Sequence, residues 1–196
     1  MRKTVMAGCA VAGLLIFLTA PGTSFSADQK EIGKNNSAMV ERGLYLVTAA
    51  GCNDCHSPKT MTPKGPAPDE ALILSGHPSD EKLTEVPQNI FGPGKWGAIT
   101  NNNLTAWVGP WGTSYSPNLS PDPETGTGAM SEALFIRILR TGKFMGAGRD
   151  ILPPMPWYDY AKLTDPDLKA IFAYLKSIKA VRNQVPASVP APPPPR

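Results

Sequence analysis

The chain has 196 residues, 41% of them hydrophobic, with 19 Lys or Arg against 16 Asp or Glu and a formal charge of +3. No Lys/Arg-rich block stands out, so nucleic-acid binding has no electrostatic footprint. Two of the cations, Arg2 and Lys3, stand at the extreme N-terminus, and a chain processed beyond them keeps +1, close to neutral.

Those two cations open a secretory signal pattern: Val5 to Ala20 is mostly apolar, and Pro21 to Ala27 is small and turn-prone. Ser24 and Ser26 suit positions −3 and −1, which places the signal peptide at residues 1–26. An uncleaved membrane anchor is the rival reading, but the apolar run falls short of the ~20 residues that span a bilayer comfortably. Cys9 lies early in the apolar run and does not end it, which argues against lipidation. About 170 residues are left after cleavage, enough for one domain.

Residues 27–36 read as a polar leader. A first helix is predicted from about Ser37, its N-cap, to Ala50, with Val40, Gly43, Leu44 and Val47 on one face and Gly51 as the stop. A glycine in mid-helix costs ~1 kcal/mol relative to alanine, so Gly43 points to a close backbone approach there.

Cys52-Asn53-Asp54-Cys55-His56 follows at once. C-x-x-C-H is the attachment pattern of a covalent c-type haem: two thiols add to the vinyl groups, and the adjacent imidazole turns to the iron. A dithiol redox pair does not require the histidine, and half a zinc site lacks its second cysteine pair, since Cys9 is the only other cysteine.

Residues 57–130 hold 11 of the 22 prolines and little periodicity. Trp96, Trp107 and Trp111 argue against disorder, so the segment is expected to be an ordered, mostly irregular wrap. A partly mobile insertion, particularly from Met61 to Gln88, is the alternative. Beyond it, Ser131 caps a second helix with Leu134, Phe135, Ile138 and Leu139 on one face and Gly142 as its stop. Thr164 caps a third, with Pro166 and Asp167 in its first turn and Leu168, Ile171, Phe172, Leu175 and Ile178 on its apolar face. Residues 181–196 read as a Pro-rich extended tail, acting as a spacer.

A haem iron needs a sixth ligand if it is to carry electrons and not open a coordination position to small molecules. His77 and the methionines after the signal are the candidates. Met61 lies too near His56 to reach the opposite haem face, and Met39 and Met130 start helices and pack. Met145 sits in a glycine-rich turn. Met155 stands in Pro153-Pro154-Met155-Pro156-Trp157, where three prolines fix φ and cut the entropy of presenting one side chain. It is favoured over Met145 and His77. Trp157, Tyr115, Asn118 and Arg149 are candidate hydrogen-bond donors around the group.

Gly43 to Leu46, Cys52 to His56, Pro117 to Asp122, Thr125 to Gly128, Arg140 to Lys143, Pro153 to Trp157, Leu163 to Asp165 and Ala173 to Leu175 together resemble a class I c-type cytochrome. The pattern is similar to the haem domains in cytochrome subunits of bacterial alcohol and sugar-acid dehydrogenases. That resemblance implies His56 and Met155 as axial ligands and a crossing of first and last helices near Gly43 and Tyr174. The chain departs from those subunits in having one C-x-x-C-H where they commonly carry three, and a longer insertion before Asn118.

The expected fold is therefore all-α, a class I cytochrome c domain over residues 37–180 with a long irregular insertion. The expected function is that of an exported periplasmic electron carrier, not an enzyme, with one covalent haem c. Its partners are redox proteins: a dehydrogenase, an oxidase or another cytochrome. Membrane association through a partner or an uncleaved signal stays open. A haem enzyme acting on peroxide or sulfur compounds is the competing class.

Overall fold

The computed structural model describes residues 24–87 and 89–191. Most of the expected signal peptide and the last five residues of the tail lie outside that range. Residues 1–34 and 35–196 are separate units; of the first, only the helical backbone from Ser24 onward is described. Among the described residues, no helix is long and apolar enough to cross a membrane.

Helix α1 runs Ser24–Ala49. It begins well before Ser37, through a stretch containing Ala27, Gln29, Lys30 and Glu31, whose helix propensities are favourable although it carries no apolar stripe. Its buried face is Gly43, Leu46 and Val47, whereas Leu44, expected inward, is 46% exposed. The register follows from the helix crossing. A Cβ on Gly43 would lie inside the Ala170 carbonyl and 2.7 Å from Cβ of Tyr174, so the last helix packs on residue 43 itself and turns Leu44 aside.

Helix α2, Cys52–His56, is a single short turn after the left-handed Gly51. Helix α3, Glu132–Thr141, has the expected ends: Ser131 accepts from the Leu134 amide, and Gly142 terminates it at φ 62°. Helix α4 is Trp157–Tyr160, and α5 is Asp165–Ser177. Phe135 of α3 meets Phe172 of α5 with ring centroids 5.3 Å apart, joining Leu46, Val47, Leu139, Leu168 and Leu175 in one core.

The expectation of an all-α fold is corrected: among the described residues the chain is mixed α and β, 34% helix and 15% strand, with two antiparallel sheets. Nearly all strand residues lie in the supposed irregular insertion. Strands β1 (Lys59–Thr62) and β2 (Gly65–Pro68) form one hairpin; β3 (Ile99–Thr100), β4 (Ala106–Gly109) and β5 (Gly112–Tyr115) begin the second sheet. The β1–β2 and β4–β5 turns are x-Pro-x-Gly, Thr62 to Gly65 and Gly109 to Gly112, with the closing glycines at φ 107° and 102°. Proline at the second turn position and glycine at the fourth are the preferences of a type I turn. Four-residue strands are too short to display alternation, so the x-Pro-x-Gly turns are the one local signal these hairpins leave in the sequence.

The described residues beyond α5, up to Ala191, pack back on the domain. Strand β6, Val189–Pro190, pairs with β5. The Asn183 amide group donates to the Ser75 and His77 carbonyls at 2.7 and 2.8 Å and accepts from the Ser79 amide at 3.1 Å. An extended tail rich in proline carries few backbone donors, so side-chain amides such as Asn183 hold it down.

Two carboxylates tie local turns together. Asp167 receives Thr164 Oγ1 and Arg42, and Asp122 receives the hydroxyl and amide of Thr125 and the Glu124 amide. These bonds hold both carboxyls below the usual range, with Thr164 and Thr125 as the chief causes. The stability they contribute is present in full above the unfolded-state pKa of ~3.9 and is lost as pH falls through the lower native value. Urea titrations at successive pH values should show stability dropping on the acid side, and Asp122→Asn with Asp167→Asn should flatten that drop.

Candidate functional site

Gly51 makes the site's first turn. At φ 66° it ends α1 and starts α2, and a Cβ there would lie 2.8 Å from Asp54 Oδ2. One helical turn then presents both thiols, Cys52 and Cys55, half-buried and unbridged. Burial pushes the Cys52 thiol up to about 11 and raises Cys55, with the Asp54 carboxylate adding to the latter. Both are therefore protonated thiols at neutral pH. Tyr160 closes one side, donating its hydroxyl to the Ala50 carbonyl at 2.9 Å; burial, with the two thiols nearby, pushes it up to about 12.

His56 is only 7% exposed, and its Nδ1 lies 3.0 Å from the Pro117 carbonyl oxygen. A carbonyl only accepts, so Nδ1 carries the hydrogen and Nε2 keeps its lone pair. Burial pushes the imidazole pKa down, which holds that neutral form. Such a backbone acceptor is the kind of partner that fixes a metal-ligating histidine's tautomer and ring orientation.

The acceptor is itself clamped. A Cβ on Gly76 would lie 2.6 Å from the Ser116 carbonyl and 2.7 Å from the Asn118 amide, so the two segments touch backbone to backbone. Gly76 donates its amide to the His56 carbonyl at 2.8 Å, and His77 donates its amide to Ser116 at 3.0 Å. Asn118 Nδ2 reaches the Val181 carbonyl at 2.8 Å, so the C-terminal segment also braces the extended segment that holds Pro117.

Met155 is half-buried and packs on the same core as Cys52. Its loop is held from the second sheet, where Ser114 Oγ donates to the Pro153 carbonyl at 2.6 Å, and from below, where the Trp157 ring covers Gly142. The other candidates are placed differently. Met61 is 78% exposed on β1, Met145 is 52% exposed, Met39 is 40% exposed, and Met130 packs at the core edge. His77 is fully buried in the insertion with Nδ1 3.0 Å from Thr105 Oγ1 and its ring 4.8 Å from Tyr115, although its Nε2 has no partner among the described residues.

The proposed donors have local duties. Asn118 serves Val181 and Thr125, Tyr115 stacks on His77, Trp157 covers Gly142, and Arg149 lies 5.1 Å over the Phe144 ring. Two participants escape sequence reading. The Pro117 carbonyl is main chain and carries no side-chain signal, and Lys59, in a stretch that reads as loop, points its ammonium back at the α2 carbonyls.

The donor set fits a haem joined through two thioethers. Two protonated thiols occupy one turn, the adjoining imidazole has a free Nε2, and a separate loop carries a thioether packed on the same core. Among the described residues no three His, Cys, Asp or Glu side chains converge as ligands of a single bare ion.

No family model matches the chain. It is 32% identical over 157 residues to a nicotinate dehydrogenase subunit of Pseudomonas putida, covering 80% of this chain and 10% of that protein. It is 38% identical over 154 residues to the cytochrome c subunit of the quinone alcohol dehydrogenase of Gluconobacter oxydans, covering 77% and 24%. A diheme cytochrome c-type protein of Cereibacter sphaeroides is 27% identical over 186 residues, covering 91% and 49%. The chain thus spans between a tenth and about half the length of these relatives. What it resembles is the c-type cytochrome of bacterial dehydrogenases, and more narrowly their cytochrome subunits.

Proposed function

We propose that the chain is an exported, periplasmic monohaem c-type cytochrome that passes single electrons from a dehydrogenase to a respiratory acceptor. The observation that carries this reading is the His56 imidazole, neutral and buried, with Nδ1 committed to Pro117 and Nε2 left to ligate, on the turn that presents Cys52 and Cys55. Haem c, when bound, supplies an iron that takes up one electron and gives it back. Cys52 and Cys55 would hold the group through two thioethers, each S–H adding across one vinyl double bond with no leaving group. His56, through Nε2, and Met155, through its thioether sulfur, would be the residues that ligate the iron.

Residues around the site serve that cycle. Pro117 fixes the imidazole plane, Ser114 steadies the methionine loop, and Tyr160 seals the Cys52 side against water. The names of several relatives, among them the cytochrome c subunit of the quinone alcohol dehydrogenase, describe cytochrome subunits of dehydrogenases, which supports an electron carrier beside such an enzyme.

Stopped-flow mixing with candidate dehydrogenases tests the reading. Reduction should be rapid, at association constants of about 10⁵–10⁷ M⁻¹ s⁻¹, and with a net charge near zero the rate should vary only modestly with salt. The isolated protein should turn over neither peroxide nor thiosulfate; substantial turnover of either would assign it to the haem enzymes.

A further inference from the structure

Lys59 opens β1, three residues beyond His56, and its side chain turns back under the attachment turn. The ammonium lies 3.1 Å from the Asn53 carbonyl, 2.9 Å from Asp54, 2.5 Å from Ser57 and 3.2 Å from Asn103. A lysine has three donors, and all are committed to main-chain oxygens. The first two acceptors belong to α2, the turn that holds both cysteines, and this turn ends at Ser57. Carbonyls at a helix C-terminus carry partial negative charge, so a cation is favoured there.

The cation is held by more than its own bonds. The Lys59 amide donates to Asn103 Oδ1 at 2.8 Å, Asn103 Nδ2 donates to Glu81 at 2.8 Å, and Asn101 Nδ2 donates to the other Glu81 oxygen at 2.8 Å. The insertion thus builds a frame that pins one half-buried positive charge beneath the haem-attachment turn. The one carboxylate on α2, that of Asp54, is exposed and so screened by solvent and salt.

We infer that Lys59 is a positioning residue that raises the reduction potential of the bound iron, by a fixed cation, and links the insertion to the attachment turn. The inference rests on the haem reading above. A fixed positive charge near the iron disfavours the more positive ferric state, so the one electron added on reduction is held more tightly. This gives the insertion a function in setting the energy at which electrons enter and leave, beyond covering the site.

Potentiometric titration of the haem-loaded protein and its Lys59 variants tests this. Lys59→Gln keeps a hydrogen-bond donor without the charge, and it should lower the reduction equilibrium constant about tenfold. Lys59→Arg keeps the charge and should stay near the unaltered value. The far-red band of sulfur-ligated ferric iron should persist in both, since Met155 is untouched. Haem-loaded Lys59→Gln with an unshifted potential overturns this inference alone, as does an equal shift in Lys59→Arg. Unaltered protein lacking covalent haem overturns both this inference and the proposed function. If neither variant matures, proton exchange at the Lys59 ammonium of the unaltered protein decides. Exchange much slower than at other lysines is expected, and exchange at their rate overturns the inference.

Discussion

Denaturing mass spectrometry of the exported protein should give one mass, that of the chain processed near Ser26 plus a single haem. Cys52→Ala or Cys55→Ala should each lose one thioether and shift the alkaline pyridine spectrum to longer wavelength, because one vinyl group stays conjugated with the ring. The double variant should lose covalent haem altogether. Its effect on the fold should be large. Residues 35–191 close on a modest set of buried apolar side chains around α1, α3 and α5, and a bound haem would add apolar surface to them. Thermal unfolding of the double variant should therefore begin far below that of the unaltered protein or lose its cooperative transition. Haem-free protein that is recovered stable from a host competent in haem attachment would remove the basis for the assignment.

The parts of the molecule legible in the sequence are those where a side chain both signals and performs the role. Ser131, Gly142 and Thr164 are helix ends by residue type, and each sits where its chemistry predicts. Gly43 signalled a backbone crossing and makes one against Ala170. The face of α1 came out rotated because that same crossing sets the register, and the position of the partner helix is not written in α1. The insertion failed for a different reason. Its strands are four residues or shorter and gain their order from turns and long-range pairing, including a β5–β6 contact that joins residues 112–113 to 189–190. Pairing over that separation leaves no local pattern. Asn183 illustrates the point: in sequence it is one polar residue in a proline-rich tail, in space it ties Ser75, His77 and Ser79 together. The site was half legible. The thiols and imidazole form a contiguous word, but the Pro117 carbonyl and the Lys59 cradle consist of main-chain atoms brought close by folding.

Met155→Ala should abolish the weak far-red absorption that arises from sulfur bound to ferric iron, and should lower the reduction equilibrium constant by two decades or more, on the order of 100 mV at ~59 mV per decade. The direction follows from ligand softness. A thioether is a soft donor that favours the ferrous state, and water or a harder substitute in its place does not. The size follows from placement, because the loop from Pro153 to Trp157 is fixed at several points. Ser114 anchors the Pro153 carbonyl at 2.6 Å, Trp157 donates its amide to the Met155 carbonyl at 2.9 Å, and Ile151 donates its amide to Gly142 at 2.8 Å. A loop held this firmly gains little by relaxing toward the gap, so no neighbouring sulfur moves in to replace the lost one. Met145 is 52% exposed, and its replacement by leucine should leave the band in place. His77→Ala should also leave it, although removing a fully buried ring stacked on Tyr115 should cost about 2–4 kcal/mol of stability. Spectra and potentials of the three variants therefore separate ligation from packing: one variant loses the band, one loses stability, and one loses neither. A band that survives in Met155→Ala assigns the sixth position to another residue.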